Sequence, residues 1–77
     1  MGKYVIVVET TNNKETAQRQ YQLLSKNNIN PDIRIYKTDR GELYRVEVGP
    51  YSMKKQMFQD IDNIKGLGMI NAFITRS

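Results

Sequence analysis

The sequence predicts an α+β fold in which two helices pack on one face of a four-stranded antiparallel sheet, in the order βαββαβ. Four short segments have strand character, and two segments between them have the apolar spacing of amphipathic helices. The two halves of the chain also correspond at a constant offset of forty residues, strand on strand and helix on helix. One βαβ plan is therefore used twice, in halves of about 3–30 and 43–70 within a single domain, 1–77. This is the ferredoxin-like, or RNP-like, arrangement.

The first half is predicted to contain a central strand and a helix. Residues 4–9 form a β-branched run that is apolar on both faces, which favours a place in the middle of the sheet. Asn12 followed by Glu15 fits a helix N-cap with a glutamate three residues later. The helix is predicted over residues 14–27. Its inward stripe is Ala17, Tyr21 and Leu24.

The middle of the chain is predicted to be a β-hairpin. Residues 33–37 and 42–48 both alternate apolar and polar side chains, and the turn at 38–41 ends in a glycine that accepts a positive φ. Gly49-Pro50 is expected to end the third strand because proline has no amide hydrogen to donate to a neighbouring strand. Ser52 is the expected N-cap of the second helix.

The second helix and the last strand complete the predicted fold. The helix is expected from about residue 53 to residue 65, and Gly66 and Gly68 are expected to end it. Its inward residues are Met57, Ile61 and Ile64. Residues 69–74 are predicted as a strand whose alternating side chains point to the two faces of the sheet.

One face of this sheet has no covering element in the sequence. The residues expected under the helices are Tyr4, Ile6, Val8, Ile33, Ile35, Tyr44, Val46, Val48, Ile70, Ala72 and Ile74. Alternation sends Val5, Val7, Glu9, Arg34, Tyr36, Leu43, Arg45, Glu47, Asn71 and Phe73 to the open face. Exposed Val5, Val7, Tyr36 and Phe73 would form an apolar patch rimmed by charge, which is typical of a binding surface. Covering by a partner domain or a dimer mate is the alternative.

Composition narrows the classes of function. The chain has no histidine and no cysteine, so it lacks the commonest general base, the commonest metal ligand and any disulfide. We predict no cofactor, no metal site and no catalytic residues. The net charge of +4 permits a polyanionic partner, but the basic residues are dispersed as on an ordinary soluble surface. No apolar run is long enough to span a bilayer, and no signal peptide is expected in this sequence.

A nine-residue segment carries a resemblance to a known family. Residues 44–52 read Tyr-Arg-Val-Glu-Val-Gly-Pro-Tyr-Ser, which is similar to the most recognisable segment of SPOR domains (sporulation-related repeats). Residues 13–17, Asn-Lys-Glu-Thr-Ala, resemble the start of the first helix in that family. The resemblance implies a non-catalytic domain that binds bacterial peptidoglycan and favours glycan strands without stem peptides. It also implies a place in the cell envelope, in the periplasm or cell wall, within larger division, hydrolase or envelope proteins.

The expected binding residues lie on the open face or near its end. They are Val7, Thr10, Asn12, Arg34, Tyr36, Arg45, Asn71 and Phe73. Tyr36, Phe73 and Val7 would form an apolar platform for sugar rings, and the others would supply hydrogen-bond donors and acceptors. Val7 stands where the resemblance implies a glutamine, and a valine cannot hydrogen-bond a sugar. Simpler roles exist for some of them: Asn12 as a helix cap, Tyr36 as a shield for the hairpin, and Arg45 paired with Glu47 across strands.

Two other classes of function remain open at this point. A protein-docking or regulatory domain would use the same open face to bind another subunit. RNA-binding domains share the βαββαβ order, but residues 43–48 lack the glycine and outward aromatic side chains of their third strand, so no nucleic acid is expected. An enzyme is the least favoured class, because no paired acid and base is evident.

Overall fold

The chain forms six elements in the predicted order, seen in a computed structural model that describes residues 3–77. They are β1 (Tyr4–Thr11), α1 (Lys14–Lys26), β2 (Pro31–Thr38), β3 (Gly41–Tyr51), α2 (Lys54–Gly66) and β4 (Phe73–Arg76). The strands form one antiparallel sheet in the order β2-β3-β1-β4. The predicted α+β fold is therefore confirmed, and β1 lies inside the sheet as its two apolar faces indicated.

The hydrophobic core lies between the helices and one face of the sheet. It contains Ile6, Val8, Ala17, Leu24, Ile29, Val46, Val48, Met57, Ile64, Met69 and Ala72. The inward helix positions that are buried follow the spacing of three and four residues read from the sequence. Ile35 was expected under the helices, but it is largely exposed because β2 is an edge strand whose end extends past the core.

The last strand is shorter than predicted and begins at Phe73. Residues 69–72 form a turn instead, in which the backbone N–H of Ala72 donates to the carbonyl oxygen of Met69 at 3.3 Å. This turn directs Met69 and Ala72 into the core and leaves Ile70 71% exposed, so its predicted place under the helices is wrong. Ile70, Ala72 and Ile74 alternate with the period of a strand. The turn instead buries Met69 and Ala72, which lie three residues apart.

The third strand continues through Gly49-Pro50 and ends at Tyr51, which pairs with Tyr4. The register between β1 and β3 shifts at this point, so β3 carries a bulge there. A bulge is one of the few places in a sheet that accept proline, because one residue is left out of the ladder. The prediction that Gly49-Pro50 ends the strand is therefore wrong. Gly49 has φ +127°, and its peptide bond to Pro50 is cis.

The N-caps of both helices lie one residue after the predicted caps, although α1 begins at Lys14 as predicted. The side chain of Asn13, and not that of Asn12, caps α1 by accepting the backbone N–H of Thr16 at 3.1 Å. The N-cap of α2 is Met53, and no side chain caps that helix, so Ser52 is not a cap. The amide groups that open α2 are therefore left without a side-chain acceptor.

A second bulge, in β1, redirects one side chain of the open face. Val7 pairs with Glu47 and Glu9 pairs with Val46, so β1 has one more residue than β3 over this step. Glu9 consequently faces α1, where it accepts a hydrogen bond from Gln20. The predicted place of Glu9 on the open face is wrong.

The hairpin between β2 and β3 forms where it was predicted. Thr38 pairs with Gly41, which has φ +118°, and the Thr38 hydroxyl donates to the carbonyl oxygen of Gly41 at 2.8 Å. A glycine is required here because other residues rarely adopt that backbone conformation. The hairpin fixes the register that brings the side chains of β2 and β3 together on the open face.

Candidate binding face of the sheet

Strand register arranges the open-face side chains in three rows across the sheet. The central row is Phe73, Val7, Glu47 and Asp32; the arginine row is Thr10, Arg45 and Arg34; the outer row is Leu43 and Tyr36. Residues paired directly across antiparallel strands share a face and stand side by side. The bulge in β1 puts Thr10, one residue before the end of the strand, beside Arg45. All three rows are therefore continuous from one strand to the next.

The aliphatic side chains of this face are buried although no helix covers them. Val7 is 2% exposed between its neighbours Phe73 and Glu47, and Val5 is also buried. The expectation that these two valines form an exposed patch is wrong. The exposed apolar surface of the face is aromatic: Phe73 is 55% exposed, and Tyr36 is also well exposed.

A cleft of about 280 Å³ opens beside Phe73. It is lined by Val7, Val8, Glu9, Thr10, Asn71 and Phe73. The cleft exists because β4 pairs with β1 only as far as Val7, while β1 continues to Thr11. On the side of β4, residues 8–11 of β1 therefore have no strand beside them, and the turn before β4 brings Asn71 to that open edge. The cleft combines an aromatic wall with an amide, a hydroxyl and a carboxylate.

Glu47 is a buried carboxylate on the open face, and two arginines neutralise it. Arg45 Nε lies 3.1 Å from Glu47 Oε2, and Arg34 Nε lies 3.6 Å from Glu47 Oε1. Arg45 contacts Glu47 along the same strand rather than across strands as expected, because residues two apart share a face. Arg45 Nε is buried and has no hydrogen-bond partner, since the contact with Glu47 lacks hydrogen-bond geometry. The ion pairs thus leave a donor on Arg45 unused.

The predicted binding residues fall into two groups and one outlier. Val7, Thr10, Asn71 and Phe73 meet at the cleft. Arg34, Tyr36 and Arg45 stand on β2 and β3, and Thr10 joins the groups because it pairs with Arg45. Asn12 is exposed after the end of β1 and does not line the cleft.

Glu9 and Asp32 were not among the predicted binding residues. Glu9 lines the cleft from the helix side, and only a bulge in β1, which alternation does not reveal, places it there. Asp32 stands in the central row opposite Glu47, because β2 begins two residues earlier than predicted. Asp32 lies two residues before Arg34, so extending the predicted strand by alternation would have placed it on the open face.

Comparison with protein families gives a match to the SPOR domain model over residues 1–76, essentially the whole chain. The chain belongs to the SPOR domain family. SPOR domains bind peptidoglycan, occur in bacterial cell-envelope proteins and are associated with cell division. They are binding domains and not a family of catalysts. Comparisons with curated proteins and with solved structures found no match.

At the opposite end of this SPOR domain, a polar contact joins the sheet to α2. The hydroxyl of Tyr51 donates to Asp60, whose other oxygen accepts from the side-chain amide of Gln56 at 3.0 Å. Burial and the bond to Asp60 raise the pKa of Tyr51 well above its ordinary value of 10.0. The neutral phenol is therefore the stable form here, and its role is to hold α2 against the end of β3.

In residues 3–77 of the SPOR domain, no group of three carboxylate, histidine or cysteine side chains lies close enough together to hold a metal ion. None of the helices in this part of the chain has the length and apolar character that crossing a membrane requires.

Proposed function

We propose that this SPOR domain binds peptidoglycan glycan strands lacking stem peptides, across the open face of its sheet, without catalysis. The observation that carries the proposal is the cleft beside half-exposed Phe73. The place of action is the bacterial cell envelope, in the periplasm or the cell wall.

The chemistry of the cleft fits a sugar. A hexose ring presents an apolar C–H face and a polar rim, so its site needs an aromatic surface next to hydrogen-bonding groups. Phe73 offers the aromatic surface, and Asn71 and Thr10 line the same cleft with an amide and a hydroxyl. The amide both donates and accepts, which suits N-acetyl groups as well as hydroxyls.

The rows also give the site a direction. A strand bound at Phe73 and running across the sheet passes Val7 and Thr10 and then reaches Arg45 on β3. Val7 is too buried to be a platform, so it supports its neighbours and leaves contact with the sugar to them. Tyr36 forms a second aromatic surface at the outer row.

A sedimentation assay with purified sacculi tests the proposal. Untreated sacculi and sacculi stripped of stem peptides by an amidase are compared at low and high salt. Retention that rises after amidase treatment and persists in high salt supports recognition of bare glycan by shape and hydrogen bonds. Retention lost in salt would show only attraction between a domain of net charge +4 and an anionic polymer, and would contradict the proposal.

Two phenylalanines form a matched pair for this assay. Phe73→Ala removes a ring from the open face, and Phe58→Ala removes a ring of nearly equal exposure, 53% against 55%, from α2. We expect Phe73→Ala, and more so its combination with Tyr36→Ala, to abolish retention while Phe58→Ala leaves it unchanged. Equal retention of the Phe73/Tyr36 double variant and the wild type would rule out the proposed platform. If neither preparation of sacculi retains the wild-type protein, a domain that docks another protein is favoured instead.

A further inference from the structure

We propose that Arg45 and Arg34 bind the carboxylate that a muramic acid residue exposes when its stem peptide is removed. The inference rests on the proposed function and adds the chemical group that is recognised. In intact peptidoglycan the lactyl group of each muramic acid is joined to the peptide through a neutral amide. Hydrolysis of that amide leaves a lactyl carboxylate on the sugar, so a bare strand differs from an intact one by a charge close to the ring.

The two arginines form a pair of like charges, which sheets ordinarily avoid. Arg34 and Arg45 are directly paired across β2 and β3, and like charges in that position destabilise a sheet. Glu47 offsets part of the repulsion through its contacts of 3.1 and 3.6 Å, whereas Asp32, the other carboxylate of the central row, makes no salt bridge with either arginine and accepts the backbone N–H of Ile33 instead. An anionic ligand in contact with both guanidinium groups would offset more of the repulsion.

Arg45 can offer a ligand only the exposed part of its guanidinium group. Its Nε is buried and lies 3.1 Å from Glu47 Oε2, whereas the side chain as a whole is 28% exposed. Guanidinium groups bind carboxylates through parallel N–H donors, which makes arginine suited to this recognition. The pair is accessible, since the Arg34 side chain is largely exposed and that of Arg45 is partly exposed.

The surroundings of the pair leave one side open for an anion. Glu47 and Asp32 lie on the side of the central row, where the Asp32 carboxylate accepts the backbone N–H of Ile33 at 2.9 Å. The remaining members of the arginine row and the outer row are Thr10, Leu43 and Tyr36, none of which is acidic. A carboxylate approaching from the outer row therefore meets two arginines, a hydroxyl and no like charge among these open-face side chains.

The spacing agrees with a single strand occupying both places. Phe73 on β4 and Arg45 on β3 are separated by β1 and lie in adjacent rows, so two interstrand spacings across the sheet and two residues along it put their backbones roughly 12 Å apart. A sugar stacked on Phe73 and the carboxylate of a neighbouring residue of the same strand can therefore be bound together. A stem peptide in place of the carboxylate would bring a bulky neutral amide to the arginines.

The test compares two glycans that differ only in this charge. Amidase-stripped strands are used as they are, or after carbodiimide coupling to methylamine, which converts each lactyl carboxylate to a neutral methylamide. Binding of both to the purified domain is measured by fluorescence anisotropy at physiological ionic strength. We expect the wild type to bind the carboxylate form about tenfold more tightly, the size of one charge-assisted contact.

Variants assign the preference to the arginine row. Arg45→Gln should reduce the ratio of the two affinities to near one, while Arg19→Gln, an equal charge change on exposed α1, should leave it unchanged. Because Arg45→Gln removes a partner of buried Glu47, Arg34→Gln is the second variant; its side chain is 60% exposed, so the fold should persist. It should also lower the ratio.

The possible results separate this inference from the function on which it rests. Equal, measurable binding of both glycans by the wild type would overturn the role of the carboxylate and leave glycan binding intact. An unchanged ratio in both arginine variants would overturn their assignment. Failure to bind either glycan would overturn the proposed function and this inference with it.

Discussion

The side-chain amide of Gln20 on α1 donates a hydrogen bond of 2.7 Å to the carboxylate of Glu9 on β1. The contact exists only because the bulge in β1 turns Glu9 away from the open face and toward the helix. Without that bulge, alternation would place the Glu9 carboxylate on the open face, where it would point toward the ligand. The bond therefore connects α1 to the sheet and holds the Glu9 carboxylate away from the arginine row.

We expect Glu9→Ala to lower the free energy of unfolding by about 1–2 kcal/mol, because the part-buried Gln20 amide loses its acceptor. Gln20 Oε1 already lacks a partner, so the variant would leave both polar atoms of this amide unpaired. Urea denaturation followed by circular dichroism measures the change. Asp62→Asn, at an exposed carboxylate of α2, is the control and should stay within about 0.5 kcal/mol of the wild type. A loss of equal size in both variants would contradict a specific role for Glu9.

The two faces of β3 should respond in opposite ways to the same charge. Val48 is buried under the helices, and Val48→Asp would bury a carboxylate without a partner. Such a change costs several kcal/mol, comparable with the whole stability of a small domain, so we expect the variant to be unfolded. Leu43→Asp, on the open face of the same strand, should remain folded. A folded Val48→Asp protein in circular dichroism would show that the faces are reversed.

Gly49 and Gly66 provide a test of the bulge in β3. A Cβ at Gly49 would lie 3.0 Å from the Tyr4 carbonyl oxygen, and its φ of +127° is one that other residues rarely adopt. We expect Gly49→Ala to destabilise the protein by about 1–3 kcal/mol. Gly66→Ala, at the end of α2 with open space around it, should be neutral or slightly stabilising. Thermal denaturation compares the two, and equal stabilities would contradict the strain at Gly49.

The contribution of Tyr51 should depend on pH in a defined direction. Its pKa is raised above 10.0 in the folded protein, so the unfolded chain releases this proton first as the pH rises. The stability contributed is therefore complete below pH 10.0 and is lost as the pH rises through the raised pKa. Near neutral pH, Tyr51→Phe should cost about 1 kcal/mol through the lost bond to Asp60.

Urea denaturation of wild type and Tyr51→Phe over a range of pH measures this effect. The difference in free energy of unfolding between them should narrow above about pH 10, because only the wild type has this phenol to ionise. Tyr44→Phe is the comparison. The Tyr44 phenol bonds Glu42 at the surface and its pKa is also raised, but it joins no helix to the sheet, so we expect a smaller difference from the wild type. A difference for Tyr51→Phe that stays constant through the alkaline range would contradict the prediction.

Much of the candidate face could be predicted because alternation assigns side chains to faces wherever a strand is regular. Arg34, Tyr36 and Arg45 lie on the open face as expected, since β2 and the first part of β3 contain no bulge. The prediction failed for Glu9 because a single extra residue in β1 reverses the phase of the alternation. It also failed for the exposure of Val7, which depends on the size of its neighbours on two other strands.

The sequence by itself determined the type, order and approximate limits of five elements, the antiparallel hairpin and the membership of the SPOR family. Those features follow from local propensity and from periods of two and of three to four residues, which neighbouring residues encode. The tertiary structure alone decided the two bulges, the late start of β4, the cleft beside Phe73 and the buried Glu47 between two arginines. These depend on which residues face each other across strands, and pairing between distant segments is set by packing the whole sheet against the helices.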